Sequence, residues 1–350
     1  MPLALVTGAP GWLGTSLVEA LIHGLPDVPR LRAPTADLEV RCLVRPGQPA
    51  EELAALGPRV VTVAGDLCDP GSLARFVEPA RGATLFHVAG VVHPTRGTRE
   101  LLQVNAEGTR ELLQAAARAG VRRFVHVSSN SPIGVNASPA ESFDESAPYA
   151  PYLTYGLSKK LAEDHVNAAG RRGDLETVIV RPPWFYGPRQ PPRQSLFFSM
   201  IRRGEVPIVG GGENRRSMAY VGNICHGLLL AAQTPEAASE TFWIADAEPY
   251  TMNEIVDTIE RVLERDFGLA CAHRRVRLPG LASELAWLGD RALQSVGLYH
   301  QKLHVLSEMN KTIACRIDKA RRVLGYEPAI ALEEGMRRSL RWCLDHGGVV

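Results

Sequence analysis

Two side chains four positions apart carry the most suggestive chemistry in the sequence. Tyr155 and Lys159 stand in the run Tyr155-Gly156-Leu157-Ser158-Lys159, and this spacing places both on one face of a helix. A phenol ordinarily ionises at about pH 10, but a neighbouring ammonium favours the phenolate and lowers its pKa. The pattern therefore predicts a tyrosine that exchanges a proton at neutral pH. The alternative is a surface contact between adjacent helical turns.

A cluster of serines offers hydroxyl groups to a reacting carbonyl. The run Val127-Ser128-Ser129-Asn130-Ser131 ends the stretch that we predict as the fifth strand. Open α/β sheets keep their active sites at the carboxyl ends of their strands, where a hydroxyl can donate a hydrogen bond to an oxygen that gains charge. Ser128 and Ser131 are rival candidates on these grounds, and capping of the loop is the alternative role.

A glycine-rich turn lies between the first predicted strand and the first predicted helix. Glycine lets the backbone turn tightly and approach a diphosphate, while the helix N-terminus offers free N–H groups and the positive end of its dipole. We therefore expect a dinucleotide site here, against the alternative of a merely structural turn. The residues of this predicted site are Gly8, Pro10, Gly11, Trp12, Leu13 and Gly14.

Two further positions bear on which dinucleotide binds. Arg45 directly follows the second predicted strand, at a position where an acidic residue would accept hydrogen bonds from a free ribose 2′-hydroxyl. A guanidinium instead pairs with a phosphate in a forked geometry, so Arg45 favours NADP(H), with NAD(H) possible and a solvent-facing arginine as the alternative. After the third strand, Asp66 and Leu67 are candidates for the adenine contact, although an aspartate there also suits a turn or a helix cap.

These residues need a framework, and short apolar runs that alternate with helical patterns provide it. We predict strands at 3–7, 40–44, 60–64, 85–89, 124–128 and 177–180, and helical periodicity at 12–21, 101–119 and 154–169. Such alternation predicts an α/β fold with a doubly wound parallel sheet of Rossmann type.

A proline-rich stretch after Arg181 marks the crossing to a second, smaller α/β lobe. We assign 1–180 and about 218–235 to the dinucleotide-binding domain. The remainder, 181–217 and 236–350, is assigned to a substrate-binding lobe that includes a short strand at 242–245.

The composition excludes several classes of partner. The 350 residues include 39 basic and 38 acidic side chains, for a net charge of +1, so no global field attracts nucleic acid. No apolar stretch of about 18 residues occurs and no charged leader precedes the first strand, so we expect a cytoplasmic protein without stable membrane insertion. The cysteines and histidines lack metal-ligand spacing, so we expect no metal and a small-molecule substrate.

In combination, these motifs resemble the extended short-chain dehydrogenase/reductase family, which includes NAD-dependent epimerases and dehydratases. The resemblance runs through most of the chain. The glycine turn and Asp66-Leu67 resemble that family's cofactor motifs, and His87-Val88-Ala89-Gly90 resembles its fourth-strand motif. The resemblance implies further cofactor contacts at Ala89, Gly90, Ser128, Tyr155, Lys159 and Pro182.

The resemblance also assigns catalytic roles. Ser129, which stands five residues before Gly134, matches the family's catalytic serine, and Tyr155 and Lys159 match its acid-base pair. Lys159 would also hold the nicotinamide ribose. Asn105 matches a helix asparagine implicated there in structure and proton relay.

The run Arg181 to Pro188 resembles the reductase and hydroxysteroid dehydrogenase branch, and Val44-Arg45 resembles dihydroflavonol-type reductases. The implied activity is hydride transfer between a nicotinamide cofactor and a secondary alcohol or ketone, in a homodimer formed by the helices at 100–119 and 154–169. The alternatives are a sugar-nucleotide epimerase or dehydratase that retains NAD, and a dinucleotide-binding sensor or scaffold without turnover.

The sequence does not decide the roles of three segments. The aromatic residues near the crossing either line an apolar substrate pocket or belong to the core; they are Trp184, Phe185, Tyr186, Phe197 and Phe198. The segment 278–298 has an amphipathic pattern that suits either packing within the second lobe, which we favour, or contact with lipid. The long connection at 24–38 has no functional interpretation.

Overall fold

Strands and helices alternate along the first half of the chain in this computed structural model, which describes residues 2–348 and 350. The strands are β1 (Leu3–Thr7), β2 (Glu39–Val44), β3 (Val60–Ala64), β4 (Thr84–His87), β5 (Arg123–Val127), β6 (Glu176–Arg181), β7 (Trp184–Tyr186), β8 (Pro207–Val209), β9 (Arg215–Arg216), β10 (Met218–Tyr220), β11 (Glu240–Trp243), β12 (Tyr250–Thr251) and β13 (Val276–Leu278). The helices are α1 (Trp12–His23), α2 (Glu51–Ala55), α3 (Pro70–Val77), α4 (Arg99–Leu101), α5 (Gly108–Ala119), α6 (Leu153–Arg172), α7 (Pro192–Arg203), α8 (Val221–Gln233), α9 (Met252–Phe267), α10 (Leu281–Ser295), α11 (Gln301–Glu308) and α12 (Leu332–Asp345). A π-helical stretch, Leu102–Glu107, joins α4 to α5.

The central sheet has seven parallel strands in the order β3-β2-β1-β4-β5-β6-β11. The six predicted strands are all present, and the predicted doubly wound α/β fold is confirmed. Because the order reverses between β1 and β4, the carboxyl ends of these two strands open a crevice where ligands bind in such sheets. The strand predicted at 85–89 ends earlier, at His87, which leaves Ala89 and Gly90 in the loop that borders this crevice.

The seventh strand corrects one placement from the sequence. β11 pairs with β6, with Phe242 beside Val180, so this strand belongs to the central sheet and not to the substrate lobe. The physical reason is that α8 returns the chain to the sheet edge, where Phe242 and Trp243 become fully buried. A run of four residues carries no periodicity that reveals this long-range pairing.

Both faces of the sheet are covered by helices. Along β5, the side chains of Val125 and Val127 pack into the core on one face, while Phe124 packs into the core on the other. Leu112 of α5 and Val166 of α6 lie in the same core as Phe124. This alternation fixes α6 against the sheet and thereby positions the catalytic candidates that it carries.

Outside the central sheet, the chain forms α7, α9–α12 and short strand pairs, and the division into two lobes stays a prediction. The pairs are β7 with β10, β8 with β13 and β9 with β12. α10 and α11 pack against each other, and their segment 281–308 is called the helix pair below. Within the described residues, no helix combines the length and the apolar character needed to cross a bilayer.

The connection at 24–38 has a structural role. The carboxylate of Asp27 accepts hydrogen bonds of 2.6 and 3.0 Å from the Arg338 guanidinium on α12. Arg30 donates to the main-chain carbonyl of Gly325 at 2.5 Å. The connection therefore fastens the end of α1 to the C-terminal part of the chain, which explains its presence without a part in catalysis.

Candidate active site

The glycine turn after β1 is packed too tightly for side chains. A Cβ atom on Gly8 would lie 2.5 Å from the main-chain nitrogen of Ala89, and one on Gly14 would lie 2.3 Å from the Gly8 carbonyl oxygen. Gly8 also has a φ of 87°, a left-handed conformation that disfavours other residues. Gly11 precedes α1 without a side-chain cap, so the first N–H groups of the helix stay free for an anion. The turn therefore fits the diphosphate of a dinucleotide.

We expect Gly14→Ala to weaken dinucleotide binding by at least about tenfold, because the new methyl group pushes α1 away from the turn. The matched control is Gly280→Ala, where a Cβ meets nothing within 4 Å. Fluorescence titration with NADH and NADPH checks both variants. If Gly14→Ala folds normally and binds as tightly as the wild type, the turn does not hold the diphosphate.

The other predicted contacts of the adenosine half lie along the same edge of the sheet. Arg45 directly follows β2 and is exposed. Asp66 caps a turn, because its Oδ1 accepts a hydrogen bond from the Cys68 N–H at 2.8 Å. Leu67 is buried beneath it. The turn role considered for Asp66 is therefore present, and its adenine contact stays a prediction.

A buried series of hydrogen-bonded polar side chains lies beneath the crevice. His87 contacts the Thr7 hydroxyl through Nδ1 at 2.7 Å and the Thr109 hydroxyl through Nε2 at 2.8 Å. The Ala89 N–H also bonds to Thr7. Burial, together with the charge of Lys159, lowers the pKa of His87 to about 3, so the imidazole is neutral and links β1 to β4 without adding charge.

Asn105 lies in the π-helical stretch with its side chain fully engaged. Its Oδ1 accepts from the Val91 N–H at 2.7 Å, and its Nδ2 donates to the Val91 carbonyl at 2.8 Å and to the Ser158 hydroxyl at 3.0 Å. Ser158 in turn donates to the Tyr155 carbonyl at 2.8 Å. Asn105 therefore fastens the loop after β4 to the helix that carries Tyr155, which is the structural half of its expected role.

The loop after β5 separates the serine candidates. The Ser129 hydroxyl lies 3.4 Å from that of Ser131 and interacts with the Tyr155 phenol. Ser128 turns its hydroxyl the other way and donates to Glu163 at 2.5 Å. Its N–H bonds to the Val180 carbonyl, beside the buried Pro182 that follows β6. Ser129 is thus the serine that faces the tyrosine, and the side chain of Ser128 belongs to the protein interior.

α6 carries Tyr155, Lys159 and Glu163 on successive turns of one face. Lys159 is buried, and its Nζ donates to the Val127 carbonyl at 2.8 Å. Gly156 is a residue of this motif whose role the sequence did not reveal. A Cβ there would lie 2.5 Å from the Ser131 carbonyl oxygen, so glycine lets the start of α6 approach the serine loop.

The expected lowering of the Tyr155 pKa is wrong for the protein without cofactor. Burial raises the pKa of Tyr155 to about 12, and only the hydrogen bond with Ser129 acts in the other direction. Burial also lowers the pKa of Lys159 to about 8. The physical reason is that both groups are desolvated and that the ammonium bonds to Val127 rather than to the phenol.

The buried ammonium of Lys159 makes the stability of the fold depend on pH. Its pKa falls from the ordinary 10.5 to about 8, so between these values the unfolded chain binds more protons and stability rises with pH. We expect the difference in free energy of unfolding between the wild type and Lys159→Met to be constant below about pH 8 and to change in favour of the wild type from there towards about pH 10.5. Urea denaturation across this range measures the difference.

Lys160→Met is the control, because Lys160 pairs with Asp164 at the surface. A difference between the wild type and Lys159→Met that does not change with pH would contradict the burial argument.

An ion pair beneath the serine loop was missed from the sequence. Glu163 and Arg181 are 0% and 3% exposed and lie 2.6 Å apart. The carboxylate also accepts hydrogen bonds from Ser128 and from the Tyr149 phenol at 2.7 Å. Glu163 stands four residues after Lys159, so the spacing pointed to it, but a lone glutamate on a helix is usually solvated.

The helix pair contacts two segments that border the crevice, the start of α6 and the loop after β4. Gln294 accepts a hydrogen bond from the Thr154 N–H at 3.1 Å, next to Tyr155. Tyr299 contacts the ring of His93, in the loop after β4, at 2.6 Å. These contacts join residues more than a hundred positions apart, so no local pattern in the sequence could reveal them.

The aromatic residues near the crossing do not form an open substrate pocket. Tyr186 and Phe198 are each 3% exposed and lie in the core. Trp184 and Phe197 pack against it and enclose a cavity of only about 20 Å³, which holds about one water molecule. The core role that we considered beside the pocket is the one observed.

A shallow hollow on α9 lies apart from the predicted site. Its volume is about 510 Å³, and it is lined by charged side chains that include Glu260, Glu264 and His273. His273 already contacts Glu264 at 2.8 Å, and no predicted site residue lies there. Within residues 2–348 and 350, no grouping of three or more histidine, cysteine or carboxylate side chains suits a metal ion.

A doubly wound parallel sheet with a glycine turn after β1 and a Ser-Tyr-Lys set beyond β5 defines a nicotinamide-dependent Rossmann enzyme. The sequence model of the NAD dependent epimerase/dehydratase family matches residues 4–245. The chain belongs to this family, which confirms the membership predicted from the motifs. The family acts on small molecules and uses NAD, so the chain is an NAD-dependent enzyme of this type.

The relatives span redox and dehydratase chemistry. Uncharacterized protein y4nL of Sinorhizobium fredii (strain NBRC 101917 / NGR234) is 49% identical over 99% of this chain and 96% of its own length. A 3-beta-hydroxysteroid dehydrogenase of Mycolicibacterium neoaurum is 28% identical over 97% of this chain and 91% of its own. A crystal structure of a dTDP-glucose 4,6-dehydratase from Streptomyces venezuelae, with NAD bound, is 29% identical, with a TM-score of 0.75 over 99% of this chain and 98% of that one.

Proposed function

We propose that the protein catalyses reversible hydride transfer between a nicotinamide dinucleotide and a secondary alcohol or ketone. The observation that carries the proposal is the close approach of α6 to the serine loop at the carboxyl edge of the sheet, where the Tyr152 N–H bonds to the Ser131 carbonyl at 2.9 Å and Tyr155 stands one helical turn from Lys159. A protein that only binds dinucleotide needs no proton donor at this place. The bound nicotinamide supplies or accepts the hydride.

Each of the three side chains has a distinct task in ketone reduction. Ser129 donates a hydrogen bond to the carbonyl oxygen as negative charge develops on it. Tyr155, whose pKa of about 12 keeps it protonated, donates its proton to that oxygen. Lys159 then stabilises the phenolate by its charge and holds the nicotinamide ribose. Asn105 keeps α6 in place for this step through Ser158.

NADP(H) is the preferred cofactor in this proposal, with NAD(H) possible. Arg45 is exposed at the end of β2, where its guanidinium can pair with a 2′-phosphate. We expect Arg45→Asp to weaken NADPH binding by at least about tenfold and to leave NADH binding equal or tighter, because a carboxylate repels the phosphate and accepts from a free ribose hydroxyl. Titration with both cofactors measures the ratio. An unchanged ratio would show that Arg45 does not select the cofactor.

An apolar or ring-containing ketone or alcohol is the substrate class we propose. Support comes from the likeness to a 3-beta-hydroxysteroid dehydrogenase over 97% of this chain. The second candidate, a sugar-nucleotide epimerase or dehydratase with tightly held NAD, is supported by the likeness to a dTDP-glucose dehydratase. We also propose a homodimer in which α5 and α6 pack against α5 and α6 of the partner; the exposed Leu157 of α6 supports this interface. We further propose a cytoplasmic location, which the six free cysteines support.

The test separates the two candidates by the fate of the cofactor. The purified protein is examined for retained NAD and then mixed with reduced cofactor and either ring ketones or nucleotide-diphosphate sugars. The proposal predicts a cofactor-free protein that consumes reduced cofactor with ketones alone. Retained NAD, with conversion of a nucleotide sugar and no net oxidation of cofactor, would favour the second candidate.

A further inference from the structure

One face of α10 is apolar along its whole length and points into solvent. Its members recur every three or four residues, which places them in a single stripe on the helix. We call this stripe the leucine ridge; it comprises Leu281, Leu285, Leu288 and Ala292 of α10 and Val296, the residue directly after the helix. The large side chains are 56% to 71% exposed. The packing within the second lobe that we favoured for these leucines is therefore wrong.

The side of α10 that does pack is largely polar. Ser283, Asp290 and Gln294 are buried together with Ala286. Asp290 bonds to His304 of α11 at 2.7 Å. The helix is thus reversed relative to an ordinary surface helix, whose apolar stripe faces the core. Because the polar face supplies the contacts to the protein, packing does not account for the leucines on the other face.

Among the described residues, the exposed charged side chains of the helix pair that lack an ion-pair partner are positive. Glu284 is paired with Lys311, and Asp290 is buried and contacts His304, so neither carboxylate is an unpaired charge at the surface. Arg291 lies one helical turn from Leu288 on α10, and Lys302 lies on α11 of the same helix pair; both side chains are exposed. An apolar stripe with a cationic border matches a surface that is apolar inside and anionic at its boundary, which is the chemistry of a bilayer containing anionic lipid.

The helix that carries the leucine ridge also contacts the catalytic cleft. Through its polar face, the helix pair holds the start of α6, where Gln294 bonds to the Thr154 N–H. Ser307 of the same pair contacts the Tyr152 phenol at 2.8 Å. The ridge therefore lies on the outer side of the element whose inner side borders Tyr155.

We propose that the leucine ridge docks the enzyme peripherally on a bilayer surface that contains anionic lipid. The side chains enter the boundary between headgroups and acyl chains, and α10, about 22 Å long at 1.5 Å per residue, lies in the plane of the surface. Docking of this kind needs no spanning helix. It goes beyond the proposed function, since a soluble ketone reductase needs no lipid, and it is measured without catalysis.

The experiment is co-sedimentation of the full chain with vesicles of phosphatidylcholine, with or without about 30% phosphatidylglycerol. Wild type is expected to bind the anionic vesicles. Leu285→Ser with Leu288→Ser is expected to lower the partition coefficient by at least about tenfold, because two apolar anchors are lost. Leu344→Ser, at an exposed leucine of α12, is the control and should bind as the wild type does.

A charge-reversal variant separates the cationic border from the apolar stripe. Arg291→Glu with Lys302→Glu should lose the preference for anionic over neutral vesicles, as should the wild type in high salt. Light scattering reports the oligomeric state of each protein. The proposal is overturned if wild type ignores the vesicles, if the ridge variant binds like wild type, or if the ridge variant dissociates an oligomer, since the ridge would then join two copies of the chain.

Discussion

Tyr155→Phe is expected to lower turnover between about a hundredfold and about ten-thousandfold, while the affinity for the dinucleotide stays within about twofold. The variant removes one hydroxyl and no carbon, so the start of α6 keeps its packing. Without the phenol, the oxygen that gains charge in ketone reduction has Ser129 as a hydrogen-bond donor but no group that transfers a proton. The measurement is single-turnover oxidation of reduced cofactor beside a cofactor titration.

Tyr152→Phe is the matched control for this variant. It removes a hydroxyl from the residue that precedes α6, but that hydroxyl contacts Ser307 of the helix pair. Turnover within about threefold of the wild type is expected, because no proton transfer passes through it. Equal losses in both variants would mean that the cleft tolerates no change here, and unchanged turnover in Tyr155→Phe would remove that phenol from the mechanism.

Glu163→Ala is expected to lower the free energy of unfolding by about 3 to 5 kcal/mol. The carboxylate is fully buried and accepts hydrogen bonds from Ser128, Tyr149 and Arg181. Its removal leaves the Arg181 guanidinium buried without a counter-charge, which costs more than the pair itself contributes. Denaturation in urea measures the loss.

The adjacent residue provides the control for this variant. Asp164 is half-exposed and pairs with Lys160 at the surface, so Asp164→Ala should cost less than about 1 kcal/mol. The double variant Glu163→Leu with Arg181→Met should be more stable than Glu163→Ala, since neither charge then remains buried. If Glu163→Ala and Asp164→Ala lose the same stability, Glu163 does not hold the serine loop.

The sequence predicted those parts of the site that depend on local backbone geometry. The turn at Gly8 and Gly14 sits between a strand and a helix, and both the strand and the helix were readable from their periodicity. The pairing of Tyr155 with Lys159 follows from helical spacing alone. Ser129 was singled out only by the family resemblance, because the chemistry of a hydroxyl is the same at three neighbouring positions.

The sequence failed where burial or long-range contact decides the outcome. The direction of the Tyr155 pKa depends on how deeply the phenol is desolvated, which the spacing to Lys159 does not contain. β11 joins the sheet through a pairing with β6 across about sixty residues. In α10 the sequence correctly predicted that the leucines lie on one face of a helix. It assigned the wrong face to the protein interior, because the polar face makes the tertiary contacts.

Transfer of deuterium from the nicotinamide to the substrate tests the central claim most directly. The enzyme is incubated with a ring ketone and reduced cofactor that carries deuterium at both hydrogen positions of the nicotinamide C4, and the alcohol product is analysed by mass spectrometry. The account predicts one deuterium on the carbinol carbon for each reduced cofactor consumed, and product formation at least about a hundredfold slower with Tyr155→Phe. Conversion of substrate without net oxidation of the cofactor, or product formed at the wild-type rate by Tyr155→Phe, would contradict it.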